Sequence, residues 1–207
     1  KNINVIAYTL AVGDIFAKKK DFSVIEKNIV RTPDPDVAEE MIALIDDARK
    51  SLDSVGGIVE AVIHGCPPGL GDPVFDKLNA RLSYALMSIG TIRGIEFGLG
   101  FEATRMNASK HNDKFYMDGE RIRTATNNAG GILGGISTGE DIVLRVAVKP
   151  PSSIAQPQQT VTESGESKTI EVKGRHDPCI CPRVVPVVEA SIACVLVDSL
   201  LIQKTIQ

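Results

Sequence analysis

Apolar and polar residues alternate through Ile3, Val5 and Ala7, the period of a strand with one buried face, and Gly13-Asp14 marks a bend soon after. Asp34-Pro35 has the form of an N-cap followed by proline at the first helical position. Val37, Met41, Leu44, Ile45, Ala48, Leu52 and Val55 then recur at helical spacing, with Gly56-Gly57 expected to end the helix. The β-branched run Ile58–His64 predicts a second strand, and Cys66-Pro67-Pro68-Gly69 a loop after it. Phe75, Leu78, Leu82, Ala85, Leu86 and Ile89 outline a second amphipathic helix closed by Gly90, with a strand over Thr91–Phe97. Asp118-Gly119, between Lys114–Met117 and Glu120–Thr124, predicts a tight hairpin. Ile142–Val148 predicts a further strand.

The last long element, Val184 to Lys204, is apolar on nearly every face. Glu189 and Asp198 argue against a membrane span and for a core helix held between protein layers. Strands interspersed with long helices predict an α+β architecture with helices covered on more than one side. Composition then sets limits. At 207 residues and 43% hydrophobic content, one core domain over 1–207 is expected. A net charge of -3 and a pI near 5.7, with cations dispersed, exclude a nucleic-acid stripe. The run Lys18, Lys19 and Lys20 reads as a solvated loop. Four unevenly spaced cysteines suit a reducing compartment, so a cytoplasmic location is expected. The chain opens at Lys1 and moves at once into an apolar run, which reads as a portion of something longer.

Three segments carry chemistry. Thr126–Gly139 (T-N-N-A-G-G-I-L-G-G-I-S-T-G) lets main-chain amides approach a ligand, although close packing against a helix would use the same glycines. It is neither a P-loop nor a dinucleotide fingerprint. Lys149, ahead of Pro150-Pro151-Ser152-Ser153, offers a cation and two hydroxyls suited to phosphate. Taken alone, a solvent-facing lysine is the commoner use of such a position. Gly174-Arg175-His176-Asp177-Pro178-Cys179 is the densest reactive cluster: a guanidinium that grips carboxylate or phosphate beside a carboxylate that can orient a proton. A surface Arg–Asp pair is the plainer alternative. His64-x-Cys66 and Cys179-x-Cys181 match zinc spacing poorly, so no metal is expected and the cysteines read as buried thiols.

In order along the chain, Gly69-Leu70-Gly71-Asp72-Pro73-Val74-Phe75-Asp76-Lys77-Leu78, Met87-Ser88-Ile89-Gly90, Gly94-Ile95-Glu96-Phe97-Gly98, Asn127-Asn128-Ala129-Gly130-Gly131 and Gly174–Cys179 resemble segments of chorismate synthases. The resemblance implies a sandwich with long core helices between antiparallel sheets, assembled as a homotetramer. It further implies a reduced-FMN-dependent 1,4-anti elimination of phosphate from 5-enolpyruvylshikimate 3-phosphate. Carried over by position, Asn128, Ala129 and Gly130 lie against the flavin, and Lys149 and Ser153 contact its polar side chain or phosphate. Arg175 binds an anionic group of the substrate, Asp177 lies by the reacting face of the flavin, and His176 shapes the turn beside the cofactor. Pro151 stands where many members have threonine and Cys181 where many have glycine. The family's Gly-Glu-Ser-His-Gly segment and a second catalytic histidine have no counterpart, and none of His64, His111 or His176 is assigned to replace them. A portion lacking those groups is expected to be weak or inactive. The rival expectation is a non-catalytic anion-binding or assembly module.

Overall fold

The computed structural model describes residues 2–206, so the ends of the expected 1–207 domain, Lys1 and Gln207, lie outside the described residues. Strand β1 (Asn4–Val12) turns through Gly13-Asp14 into the short β2 (Ile15–Phe16). Helix α1 (Pro35–Lys50) follows, then β3 (Gly57–His64), α2 (Leu78–Met87), β4 (Ile92–Phe97) and the single turn α3 (Ala108–His111). Two hairpins come next, β5–β6 (Phe115–Asp118, Arg121–Thr124) and β7–β8 (Ile132–Leu133, Ile136–Ser137). Strand β9 (Ile142–Val148), the hairpin β10–β11 (Gln158–Val161, Ser167–Ile170) and helix α4 (Cys181–Ile206) complete the order.

Five strands form one antiparallel sheet in the order β2-β1-β3-β9-β4. Alternation along β9 sends Ile142, Leu144, Val146 and Val148 into the core. On that face α4 packs against β1 and β3, α2 lies against α4 and β4, and α1 covers β1 and β2. The molecule is therefore a mixed helix-and-strand fold. Its helices lie on one side of the large sheet, and a second sheet beyond them is not found among the described residues. In this chain the sheet and α2 cover one side of α4. Val188, Ile192 and Leu196 are buried, while Val187, Val197 and Leu201 face outward. Helix α4 is long and apolar enough to cross a membrane by length and composition. Both its carboxylates have protein partners: Glu189 accepts from the Ala7 amide (2.8 Å) and Asp198 pairs with Arg81.

Element boundaries differ from expectation for identifiable reasons. Helix α1 starts where Asp34 accepts from the Asp36 amide (3.1 Å), with Pro35 at the first position. The second Asp34 oxygen takes the Lys18 and Lys19 amides, so the exposed lysine loop is tied down by its backbone. The helix ends at Lys50, ahead of Gly56-Gly57, because Leu52 adopts the left-handed backbone normally left to glycine, at φ 59. The Leu52 amide reaches Arg49 O and the Asp53 amide reaches Ala48 O, the paired closure of a Schellman motif. Phe75 lies outside α2 and is 89% exposed. In the β5–β6 hairpin Asp118 pairs with Arg121, so Gly119-Glu120 occupies the turn, with Gly119 alone at positive φ (61°). Glycine at the first central position is the type II′ arrangement.

On the sheet face away from the helices, one row of side chains crosses four strands in register: Tyr8, Glu60, Arg145 and Glu96. The Tyr8 hydroxyl donates to Glu60, and Lys20 pairs with the same carboxylate. Arg145 Nε lies 3.1 Å from Glu96 and 3.6 Å from Glu60, and its Nη2 donates to the Gly98 carbonyl. Burial, reinforced by Glu60, pushes the Tyr8 phenol well up, so it stays a protonated donor. Glu60 is almost wholly buried, so its charge depends on these neighbours. Arg145→Ala is expected to cost about 3–5 kcal/mol. Removing the exposed Lys19–Asp36 pair is expected to cost under about 1 kcal/mol. Urea unfolding of both variants checks the contrast, and equal losses would contradict it.

Candidate functional site

Strand β9 delivers Lys149 at its exit, and Thr91 brackets that residue's backbone. The Lys149 amide donates to Thr91 O (3.0 Å), and the Thr91 hydroxyl donates to Lys149 O (3.4 Å). The Lys149 ammonium donates to the Ser152 hydroxyl (2.8 Å), while Ser153 is exposed next to it in sequence. Of the two hydroxyls, Ser152 is therefore the one that touches the cation. Behind this turn, Pro150 packs on Gly56, where a Cβ would sit 2.5 Å from Val148 O and 2.9 Å from the proline ring. Only glycine fits that contact. The Ser54 hydroxyl donates to Pro151 O (2.6 Å).

The Gly174–Cys179 turn rests on the same connection, because the Val55 amide donates to Pro178 O (2.8 Å). Ser54–Gly56 thus holds both loops, bringing Lys149 and the Arg175–Asp177 group to one end of the sheet. His176 Nε2 bonds the Val172 carbonyl (2.8 Å), an internal brace of the turn. Asp177 pairs with Arg183 on the first turn of α4. Arg175 is exposed, with no ion pair among the described residues. Two cations with little or no intramolecular neutralisation near one carboxylate form a site suited to anionic ligands.

The start of α4 is secured from the other side. Pro186 lacks the N–H that would serve the Pro182 carbonyl, and Arg31 supplies the missing donor, its Nη1 lying 3.0 Å from that oxygen. Arg31 itself holds an uncommon left-handed backbone, φ 54. Cys181, buried against Gly57, is pushed up by the neighbouring Cys179 thiol and by burial, which marks it as an inert core thiol. Cys66 and Cys179 are likewise buried, and Cys194 is exposed.

The glycine segment lies elsewhere. Val143 donates to Gly130 O and Leu99 to Asn128 O, placing Asn128, Ala129 and Gly130 at the entry of β9. Lys149 follows its exit. Seven residues of strand separate them, roughly 20 Å at the rise of an extended chain. Within one chain these two groups do not converge. Moreover, the Asn128 and Ala129 amides are already engaged by the Asp113 carboxylate, at 2.8 and 2.9 Å, and the Thr126 hydroxyl joins them at 2.6 Å. A Cβ on Gly98 would lie 2.1 Å from Asn128 O, so the loop packs backbone to backbone. Of the two uses open to this segment, close packing is realised here, against a strand end instead of a helix. Asp113 and Arg183 were missed by sequence reasoning, since their partners lie in other segments or across a turn. A cavity of about 890 Å³ also lies at this end, and Lys149 is not among its lining residues.

Comparison with known proteins joins these observations. The chorismate synthase family model matches residues 1–201. The chain belongs to the chorismate synthase family. A chorismate synthase of Chloroflexus aurantiacus is 54% identical over 203 residues, covering 98% of this chain and 56% of the relative. One from Methanothermobacter thermautotrophicus is 53% identical over 205 residues, covering 96% and 55%. A chorismate synthase crystal structure superposes with a TM-score of 0.79 at 29% identity, covering 97% of this chain and 57% of the other. The chain thus spans a little over half the length of the chorismate synthases it matches.

Two outcomes follow from the braces. Arg31→Met leaves the Pro182 carbonyl without its donor and is expected to cost about 1–3 kcal/mol in chemical unfolding; a neutral result would remove the assigned role. Burial opposes ionisation of Asp113, but bonds from Thr126, Ala129 and Asn128 hold its carboxyl below the usual range. A depressed folded value stabilises the loop above the unfolded pKa, and that contribution disappears as pH falls through the folded value. Amide exchange at Asn128 and Ala129, corrected for intrinsic rate, is expected to lose protection in that acid window, and Asp113→Asn to remove the pH dependence.

Proposed function

We propose that this chain provides part of the active site of an enzyme that eliminates phosphate from 5-enolpyruvylshikimate 3-phosphate to give chorismate, a lyase step of aromatic biosynthesis dependent on reduced FMN. The observation that carries the reading is the family match along residues 1–201, joined to Lys149, Arg175 and Asp177 at one end of the sheet. The local residues fit a phosphorylated cofactor: Lys149 with Ser152 and Ser153 forms a cationic, hydroxyl-rich turn, and the Arg175 guanidinium is free to bind a carboxylate or phosphate.

Reduced FMN, when bound, supplies the electron-rich ring system on which the elimination depends. Lys149 and Ser153 hold the cofactor's anionic side chain, and Arg175 orients the substrate's anionic group. Asp177, steadied by Arg183, accepts a hydrogen bond where a proton must be held during removal. His176 keeps the turn in shape through Val172. Asn128, Ala129 and Gly130 reach a flavin only on a neighbouring copy, in keeping with a homotetramer. The proposed architecture is one core domain over 1–207 in a sandwich whose second layer covers the outward face of α4, and the proposed location is the cytoplasm.

Titration of FMN and 5-enolpyruvylshikimate 3-phosphate into the chain and into Lys149→Ala and Arg175→Ala variants tests the site. Loss of one charge-assisted contact is expected to weaken binding roughly 10- to 100-fold, in FMN for Lys149 and in substrate for Arg175. Unchanged affinities in both would favour a non-catalytic assembly module.

A further inference from the structure

A cavity of about 890 Å³ at the glycine end is lined by none of Asn128, Ala129, Gly130, Lys149, Arg175 or Asp177. Its walls come from the β5–β6 hairpin, the Pro67-Pro68 turn and the β7–β8 hairpin, and Phe115, Ile122 and Leu133 make much of them apolar. The space does not depend on a floppy arm. Arg123 grips Glu140 with both ends of its guanidinium fork (2.7 and 2.8 Å), and the Thr124 amide donates to the same carboxylate (3.0 Å). Glu140 is buried, and the Arg123 bonds hold its carboxyl below the usual range, so the clamp is charged at neutral pH. A clamped hairpin over an apolar hollow is a preformed ligand site of ordinary size.

We propose that this cavity binds a small planar aromatic carboxylate, at a site separate from Lys149 and Arg175. Phe115 brings an aromatic ring to the lining and Pro67 and Pro68 bring apolar surface, which suit an aromatic ligand. With Arg123 neutralised by Glu140, the remaining cation lining the cavity is Arg121, which has no ion pair among the described residues. One unpaired guanidinium matches one carboxylate in bidentate geometry. Glu120 also lines the cavity and disfavours a dianion such as a phosphate monoester. The proposal uses none of the residues assigned to the chorismate reading, and its cavity lies at the other end of the sheet from Lys149 and Arg175.

Calorimetric titration of the 207-residue chain with 4-hydroxybenzoate, 4-hydroxybenzamide and FMN tests it. Saturable one-to-one binding of the carboxylate is expected, with the uncharged amide at least about 10-fold weaker. Arg121→Ala, an exposed position with no bonds to lose, is expected to weaken the carboxylate roughly 10- to 100-fold. Leu133→Trp should fill the hollow and abolish binding, with circular dichroism showing that the variant is folded. Arg175→Ala should leave the carboxylate's affinity intact. The proposal is overturned by absence of saturable binding, by equal affinity for the amide, or by indifference to Leu133→Trp. FMN binding more tightly than the carboxylate and lost in Arg121→Ala would overturn it too, by making the cavity the flavin's.

Discussion

The guanidinium of Arg145 is the contact on which the arrangement of this sheet most depends. It stands between Glu60 on one neighbouring strand and Glu96 on the other, and it donates to the carbonyl of Gly98 just past the end of β4. A buried carboxylate such as Glu60 is tolerable only with charge and donors around it, and Arg145, Lys20 and Tyr8 supply them. The consequence extends beyond the strands. Gly98 is the residue against which Asn128–Gly130 packs, so the same guanidinium that aligns three strands also fixes where the glycine segment sits.

The two ends of the sheet are built by different physics. At the exit of β9, Gly56 permits Pro150 to close on the strand, and Ser54 and Val55 hold the two loops carrying Lys149 and Asp177. The cations there have few intramolecular partners. At the entry of β9, polar groups are satisfied internally: Asp113 takes two amides and a hydroxyl, Asn127 bonds Gly131 N and Asp141 O, and Glu140 takes Arg123. A satisfied network stiffens its surroundings but has little left for a ligand. That contrast sets the glycine-rich segment, packed on Gly98 and bonded by Asp113, apart from the open cationic turn at the exit of β9.

Much of the secondary structure was legible because it depends on short-range pattern. Alternation marked β1, a β-branched run marked β3, helical spacing marked α1 and α2, and Asp34-Pro35 marked a start that Asp34 indeed caps. What escaped was governed by tertiary partners. Leu52 in a left-handed conformation ended α1 before the glycines, a choice that two backbone bonds reward and composition does not announce. Glu60 looked like one polar residue in an apolar strand, since its partners come from β1, β9 and the lysine loop. By its charge that loop reads as solvated, yet Lys20 helps to neutralise Glu60. The cluster around Arg175 was visible as reactive residues, but its brace from Arg183 and Val55 required the fold.

Helix α4 shows how hydropathy and burial can part company. Its sequence is apolar all round, yet only the side facing β1, β3 and α2 is covered, leaving Val187, Val197, Leu201 and Ile202 outward. The placement of charge along it argues for a partner layer. Glu189 is spent on the Ala7 amide and Asp198 on Arg81, so between Val187 and Leu201 no carboxylate is left without a partner. A stripe whose carboxylates already have partners carries a smaller desolvation penalty when covered than one with unpaired charge, which favours cover by a second protein layer. The proposed sandwich accounts for that stripe, because covering it would return the helix to the all-round burial its composition suits.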